Sequence, residues 1–120
     1  MKLKPADKFE MLWVLCAPKW LRLVPEVRVC EDRKWRFDFA VPERKVAFEI
    51  QGVRGFCRGR VVHGRHSRPE GMKSDAEKLN RATMDGWAVF LLTPDMVYEE
   101  TIARMVAWVA VRKTGNGVME

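Results

Sequence analysis

Residues 35–51 read WRFDFAVPERKVAFEIQ, and this stretch decides the fold. Apolar residues alternate with other residues on both sides of Pro42, and a period of two is typical of half-buried β-strands. Proline cannot donate a hydrogen bond into a central ladder, so the turn must fall within residues 42–45. The stretch therefore predicts a β-hairpin with strands at about residues 35–41 and 46–50.

The pairing register of this hairpin follows from its two faces. A turn centred on the middle of PERK sets Phe39 opposite Phe48 and Asp38 opposite Glu49. A shift by one residue would turn charged side chains into the apolar face, so this register is favoured. It predicts one wholly apolar face, made by Phe37, Phe39, Val41, Val46, Phe48 and Ile50.

The sequence on either side of the hairpin predicts further elements. A helix is expected over residues 5–17, and a strand around Val27 and Val29 completes a three-stranded meander. After residue 72 we expect a helix over residues 73–84 that ends at Gly86, with an inner face made by Ala76, Leu79 and Thr83.

The remaining elements complete a mixed sheet. Residues 87–92 predict a strand buried on both faces, and Thr93-Pro94 places an N-cap before a third helix whose apolar face is Val97, Ile102, Met105, Val106 and Val109. A strand-helix-strand unit is a right-handed crossover in nearly all cases, so the fourth strand should lie parallel to the third. The fold class expected is α/β, a four-stranded mixed sheet flanked by helices.

Composition limits the protein class. With 120 residues, 48% hydrophobic and 32% charged, the chain has about one domain's worth of foldable sequence. We expect a single domain over residues 1–112 and a loose tail over residues 113–120. No apolar stretch approaches the roughly 18 residues that span a bilayer and no signal peptide is evident, which predicts a cytoplasmic protein without membrane contact. A homodimer is compatible with the sequence.

The predicted juxtaposition of Asp38 and Glu49 needs compensation. Two carboxylates directly opposite each other on a hairpin repel. A divalent cation is one solution, because Mg²⁺ takes oxygen ligands and commonly uses one or two carboxylates with phosphate and water. Pairing with Arg36 or a loop arginine is the other solution. Both remain open from the residues alone.

Five motifs in order carry a family resemblance: WRFDFA-x-P at 35–42, EIQG at 49–52, GRH at 64–66, D-x-EK-x-N-x-A at 75–82 and GW at 86–87. This set resembles the PD-(D/E)XK nuclease superfamily, and more narrowly small phage and prophage endonuclease-like proteins related to very short patch repair endonucleases. The resemblance implies a restriction-endonuclease-like αβββαβ core with an added C-terminal helix. It also implies a phage-encoded DNA endonuclease that depends on Mg²⁺ or Mn²⁺ and acts in the cytoplasm of a bacterial host.

The same resemblance assigns roles to single residues. Asp38 and Glu49 would hold the metal, and His66 would orient or deprotonate the attacking water. Gln51 stands where the superfamily usually has lysine, so Lys78 is the candidate to supply the missing ammonium. A solvated helix lysine is the plainer interpretation of Lys78.

Two further site questions arise, one from the resemblance and one from the residue types alone. Glu10, on the first helix, is the candidate for the extra acidic group of many such nucleases, and Glu26 competes for that role. Cys57 and His63 next to His66 suggest zinc only weakly, because a fourth ligand is missing.

Positive charge is concentrated after the hairpin. The chain carries a net charge of +6, and residues 51–73 contain six cations but the single acid Glu70. A long basic loop beside an acidic pair would draw phosphates to it. It is the predicted DNA-binding surface, formed by Arg54, Arg58, Arg60, Arg65, Arg68 and Lys73.

The sequence thus favours a small metal-dependent DNA endonuclease. The alternative is a non-catalytic nucleic-acid-binding or host-interacting protein on a nuclease scaffold, which the uncharged Gln51 makes credible. Retention of both acids favours the enzyme.

Overall fold

The computed structural model describes residues 2–51 and 69–114, with side chains described for residues 2–51 and 73–114. Within these ranges the chain is an α/β fold with a four-stranded mixed sheet and three helices, as predicted. The helices are α1 (Pro5–Cys16), α2 (Pro69–Met84) and α3 (Glu99–Ala110). The strands are β1 (Val24–Val27), β2 (Phe37–Val41), β3 (Val46–Ile50) and β4 (Ala88–Leu92).

The strands lie side by side in chain order, β1-β2-β3-β4. The first two neighbouring pairs are antiparallel, and β4 runs parallel to β3 after the crossover through α2. The predicted parallel alignment of the third and fourth strands is therefore confirmed. β1 is an edge strand, and this placement tolerates Pro25 within it. It begins earlier than predicted, so Val29 lies beyond its end.

The hairpin between β2 and β3 has the predicted register. Phe39 pairs with Phe48, Ala40 with Ala47, and Val41 with Val46. A short 3₁₀ turn over Pro42–Arg44 makes the connection, and Lys45 closes it in the left-handed region at φ 53°. The Lys45 N–H donates to the carbonyl of Pro42 at 3.0 Å, which completes the turn inside the predicted window.

The prediction of one wholly apolar hairpin face is wrong at Phe37. This side chain is fully buried, but it lies in the cluster with Ala40 and Ala47, on the opposite face from Phe39. The strict alternation ends at Asp38, whose carboxylate accepts a hydrogen bond from the Ile50 N–H at 2.7 Å. Side-chain oxygens replace ladder partners there, and the residue before Asp38, Phe37, points to the opposite face.

Two clusters of buried side chains cover the two faces of the sheet. On one face, α1 and α3 contribute Phe9, Trp13, Ile102 and Val109 to a cluster with Phe39 and Phe48. The Phe9 ring lies 5.3 Å from that of Phe39 and 5.1 Å from that of Phe48. On the other face, the smaller cluster holds Phe37, Ala40, Ala47 and Ala82, with Leu79 packed against it. Because the second cluster is small, this face leaves room for polar side chains.

The orientation of α2 differs from the prediction. The helix begins at Pro69 rather than at residue 73, and Ala76 and Thr83 are exposed instead of buried. Leu79 is the one predicted inner residue that does face the sheet. The positions turned inward are Asp75, Lys78, Leu79 and Ala82, which share one face at helical spacing. Two charged residues therefore face the sheet.

The end of α2 forms as predicted. Gly86 adopts φ +91°, its N–H donates to the Thr83 carbonyl at 3.0 Å, and the Trp87 N–H donates to the Ala82 carbonyl at 2.9 Å. This pair of bonds is a Schellman motif, which satisfies two carbonyls at the helix end.

Two predictions for the C-terminal part of the chain are wrong in detail. β4 is not buried on both faces, because its first three residues are only half-buried and Leu91 is 44% exposed. Thr93 does not cap α3: its hydroxyl bonds the Asp95 carboxylate, and Pro94–Met96 forms a separate 3₁₀ turn before α3 begins at Glu99. The predicted apolar face of α3 is otherwise confirmed, with Met105 only partly buried. Within residues 2–51 and 69–114, none of the helices has both the length and the apolar character that crossing a membrane demands.

Candidate active site

The acidic pair lies where β2 and β3 separate. Beyond Phe39 and Phe48, the side chains of Asp38 and Glu49 take over the hydrogen bonding of the backbone. The Asp38 carboxylate accepts from the Ile50 N–H at 2.7 Å, and Glu49 Oε1 accepts from the Asp38 N–H at 3.3 Å. The two acids thus bond the strand that carries the other one, and each side chain is half-buried.

Lys78 reaches this pair from α2. Its ammonium Nζ lies 3.1 Å from Glu49 Oε2, bonds the Arg36 carbonyl, and sits 4.3 Å from the centre of the Phe37 ring. The Lys78 side chain is only 12% exposed. The interpretation of Lys78 as a solvated helix lysine is therefore wrong.

A small pocket of about 40 Å³ opens between α2 and the sheet at this point. Glu49 and Lys78 contribute its charged wall together with Asp75, and Gln51 lies at its edge, with its N–H bonded to the Leu92 carbonyl at 2.6 Å. Apolar side chains complete the lining, namely Phe37, Leu79 and Leu91. The pocket combines charged groups with partial shielding from water, the setting in which electrostatic interactions are strengthened.

The carboxyl of Glu49 is electrostatically perturbed. Burial raises its pKa above the ordinary range, and the neighbouring Asp38 carboxylate raises it further. Lys78 opposes both effects through its charge and its hydrogen bond. A carboxyl with a raised pKa in a cleft beside a cation is typical of functional sites, although structural ion pairs produce the same pattern.

The donor set at this pair suits a hard divalent cation. Asp38 and Glu49 offer carboxylate oxygens, the ligands that Mg²⁺ prefers, and Mg²⁺ commonly needs only one or two of them beside water and phosphate. In the part of the chain that the structure describes, no group of three His, Cys, Asp or Glu side chains is arranged to hold a metal. The fit is thus to a cation that takes further ligands from substrate and solvent.

The other two acids considered for the site lie elsewhere. Glu10 is exposed on α1 and lines a separate groove beside Trp13, and α1 covers the sheet face opposite Lys78. Glu26 is exposed in β1 and faces Arg36 at 3.9 Å. The structure brings neither residue to Asp38 and Glu49.

Most of the residues of the predicted basic surface lie outside the described residues. The three residues considered for catalysis or for zinc binding in the same segment also lie outside them. Lys73 is described, and it is exposed on α2. The tail predicted over residues 113–120 is described only to residue 114. The residues outside the description are Arg54, Cys57, Arg58, Arg60, His63, Arg65, His66 and Arg68.

Sequence reasoning missed two parts of this pocket. The predicted inner face of α2 does not include Asp75, although Asp75 precedes Lys78 by three residues and therefore shares its face. Phe37 was assigned to the opposite core, whereas its ring lies under the Lys78 ammonium. The spacing from Lys78 would have identified Asp75, but no sequence signal marks the change of direction at Phe37.

No family model matches this chain, and neither curated proteins nor solved structures show a significant match to it.

Proposed function

We propose that the chain is a divalent-metal-dependent DNA endonuclease with a restriction-endonuclease-like fold. The observation that carries the proposal is the meeting of Glu49 and Lys78 at one pocket, with 3.1 Å between Lys78 Nζ and Glu49 Oε2, while Asp38 is hydrogen-bonded to the strand that carries Glu49. The ammonium comes from α2 to the region where the superfamily's motif would place a lysine at position 51. The element order from α1 to β4 also agrees with the core that the resemblance implies.

In this proposal, Asp38 and Glu49 are the residues that would hold Mg²⁺ or Mn²⁺. When bound, such a cation neutralises charge on a scissile phosphate and lowers the pKa of a water molecule. Hydrogen bonds from the Ile50 and Asp38 N–H groups fix the two carboxylates in place. Their orientation therefore does not depend on the substrate, which is the preorganisation that catalysis requires.

Lys78 is the proposed electrophilic group. Its ammonium is held by Glu49, the Arg36 carbonyl and the Phe37 ring, so it is positioned before a phosphate arrives. A positive charge aimed at the phosphate stabilises the charge that develops during hydrolysis. Gln51, at the pocket edge, has an amide that donates hydrogen bonds but carries no charge.

One observation favours the non-catalytic alternative. Lys78 already supplies Glu49 with a counter-charge, so the acidic pair is stable without a cation. A binding protein on this scaffold would keep the same ion pair for structural reasons. The two functions differ in whether the pair binds a divalent cation and whether bound DNA is cut.

A cleavage assay tests the proposal. Supercoiled plasmid, linear duplex and single-stranded DNA are incubated with the protein in Mg²⁺, Mn²⁺ or EDTA. We expect cleavage only with metal and its loss in both Asp38→Asn and Glu49→Gln, whereas Glu43→Gln, in the exposed hairpin turn, should cut like the parent. Binding of DNA without cleavage under every metal condition would establish the alternative, and full activity in both site variants would end the assignment of the site.

A further inference from the structure

The connection between β1 and β2 lies at the rim of the proposed active site. Residues 28–36 read RVCEDRKWR, with four cations against two acids and one tryptophan. The last residue of this connection, Arg36, gives its carbonyl to the Lys78 ammonium, and Phe37 and Asp38 follow directly. The C-terminal end of this connection is therefore next to the acidic pair.

The backbone of the connection is braced from within. The Arg28 guanidinium donates to the carbonyls of Glu31 at 2.7 Å, Arg33 at 2.8 Å and Cys30 at 3.4 Å. Cys30 itself is buried, and Arg81 of α2 bonds the Asp32 carboxylate at 2.9 Å. A connection held in this way loses little conformational entropy when it binds a partner.

Three exposed cations, Arg33, Lys34 and Arg36, flank the half-buried Trp35 on this connection. The guanidinium carbon of Arg33 lies 4.2 Å from the centre of the Trp35 ring, so the two planar groups are in contact. The ion pairs that engage these cations are long and exposed, with 3.7 Å from Arg33 to Glu77 and 3.9 Å from Arg36 to Glu26. Exposed ion pairs of this kind contribute little to stability, so another anion can readily replace the carboxylate.

We propose that this connection is a binding surface for a single-stranded segment of nucleic acid, with a base stacked on the Arg33–Trp35 pair and phosphates at Lys34 and Arg36. The inference rests on the proposed nuclease function and extends it to a substrate class, namely DNA with unpaired bases beside the cut. Bases stack on aromatic rings and on guanidinium planes alike. Paired bases inside a duplex do not offer their faces, so the surface selects unpaired ones.

Binding of a labelled oligothymidylate of about 12 nucleotides, followed by fluorescence anisotropy in EDTA, tests the surface. Trp35→Ala should weaken binding at least about fivefold, the low end of what one base stack contributes, and Trp35→Phe should restore most of it. The matched control is Trp20→Ala, because Trp20 is exposed, whereas Trp35 is half-buried, and Trp20 also has a guanidinium nearby, 5.3 Å away on Arg44. It should bind like the parent.

A second measurement does not depend on the folding of the tryptophan variant. Log affinity falls as log salt concentration rises, and Arg36→Ala should make this slope shallower by about 0.7, the value for one phosphate contact to a single strand. Arg104→Ala, on α3, should leave the slope unchanged. Equal affinity of the parent and Trp35→Ala, or an unchanged slope in Arg36→Ala, would overturn the inference even if the protein cuts duplex DNA. Trp35-dependent binding without any cleavage would uphold this surface and contradict the nuclease proposal instead.

Discussion

Replacing Lys78 by Met tests the central contact of the site most directly. Methionine keeps an unbranched side chain of similar length, so the apolar contact with Phe37 and Leu79 largely remains. What disappears is the ammonium, with its ion pair to Glu49 and its hydrogen bond to the Arg36 carbonyl. The variant therefore isolates the electrostatic contribution of this residue.

The magnitude follows from the exposure of the two partners. The Lys78 and Glu49 side chains are 12% and 26% exposed, which places the pair between a surface ion pair and a buried one. Exposed pairs contribute about 0–1 kcal/mol, and breaking a buried pair costs about 3–5 kcal/mol. We expect Lys78→Met to lower the free energy of unfolding by about 2 kcal/mol at neutral pH.

The pH dependence of this loss has a definite sign. Burial and the Asp38 carboxylate raise the pKa of Glu49, whereas Lys78 and the Asp38 N–H lower it. Without Lys78 that pKa rises further, so the loss of stability is greatest where the parent's Glu49 is ionised. At about pH 4, below the ordinary glutamate pKa, the carboxyl is protonated in both proteins and the difference should shrink.

Urea unfolding in EDTA, followed by tryptophan fluorescence at neutral and acidic pH, measures this difference. The matched control is Lys73→Met, because Lys73 is exposed on the same helix and should change stability by less than about 0.5 kcal/mol. In the cleavage assay, Lys78→Met should lower turnover more than DNA affinity, because the ammonium is proposed to act on the reacting phosphate. A loss equal to that of Lys73→Met at neutral pH, or a loss that does not shrink at acidic pH, would refute this account of the pocket.

Three further variants test separate parts of the structure. Because the folded pKa of Glu49 is raised, the contribution of this carboxyl to stability is complete below about pH 4.3 and is lost as pH rises through the folded pKa. In EDTA, the melting temperature of Glu49→Gln relative to that of the parent should therefore increase over this pH range. A difference that stays constant with pH would contradict the raised pKa. Gly86→Ala should cost about 1–2 kcal/mol by calorimetry, since φ is +91° and the added Cβ meets only Lys45 Nζ at 3.6 Å; an unchanged melting temperature would contradict this backbone assignment. Arg28→Ala should lower the urea midpoint by an amount equivalent to about 1 kcal/mol and weaken oligothymidylate binding, because three carbonyls each lose one hydrogen bond. Tight binding in this variant would show that the bracing is dispensable.

The hairpin could be predicted because two independent constraints agree on it. Alternation fixes which residues share a face, and a slip of one residue would bury charges on both sides, so Phe39 and Phe48 have one acceptable pairing. The same reasoning fails at Phe37, because it assumes an unbroken ladder. Asp38 ends the ladder by bonding the Ile50 N–H with its side chain, and nothing in the alternation of FDFAV signals that change.

The orientation of α2 could not be predicted from hydrophobicity. Ala76 and Thr83 were placed inside because a helix normally buries its least polar face. The sheet face beneath α2 carries Glu49, however, and a lysine that pairs with it is more stable inside than outside. Asp75 and Lys78 therefore turn inward, and this preference depends on a residue far away in the sequence.

The acidic pair is a part of the fold before any cation binds. Asp38 and Glu49 each accept a backbone N–H where the two strands separate, so replacing either by Ala removes an acceptor that the backbone uses as well as a negative charge. Relief of the repulsion between the two carboxylates would by itself stabilise such a variant. Leaving a partly buried N–H without an acceptor costs about 1–3 kcal/mol. This cost dominates, because Lys78 already neutralises part of the repulsion. The carboxylates are thus prearranged, and Lys78 is the group that a cation must compete with at Glu49 Oε2. Removing the ammonium should therefore weaken the fold and strengthen Mn²⁺ binding, two effects of opposite sign that follow from the same 3.1 Å contact.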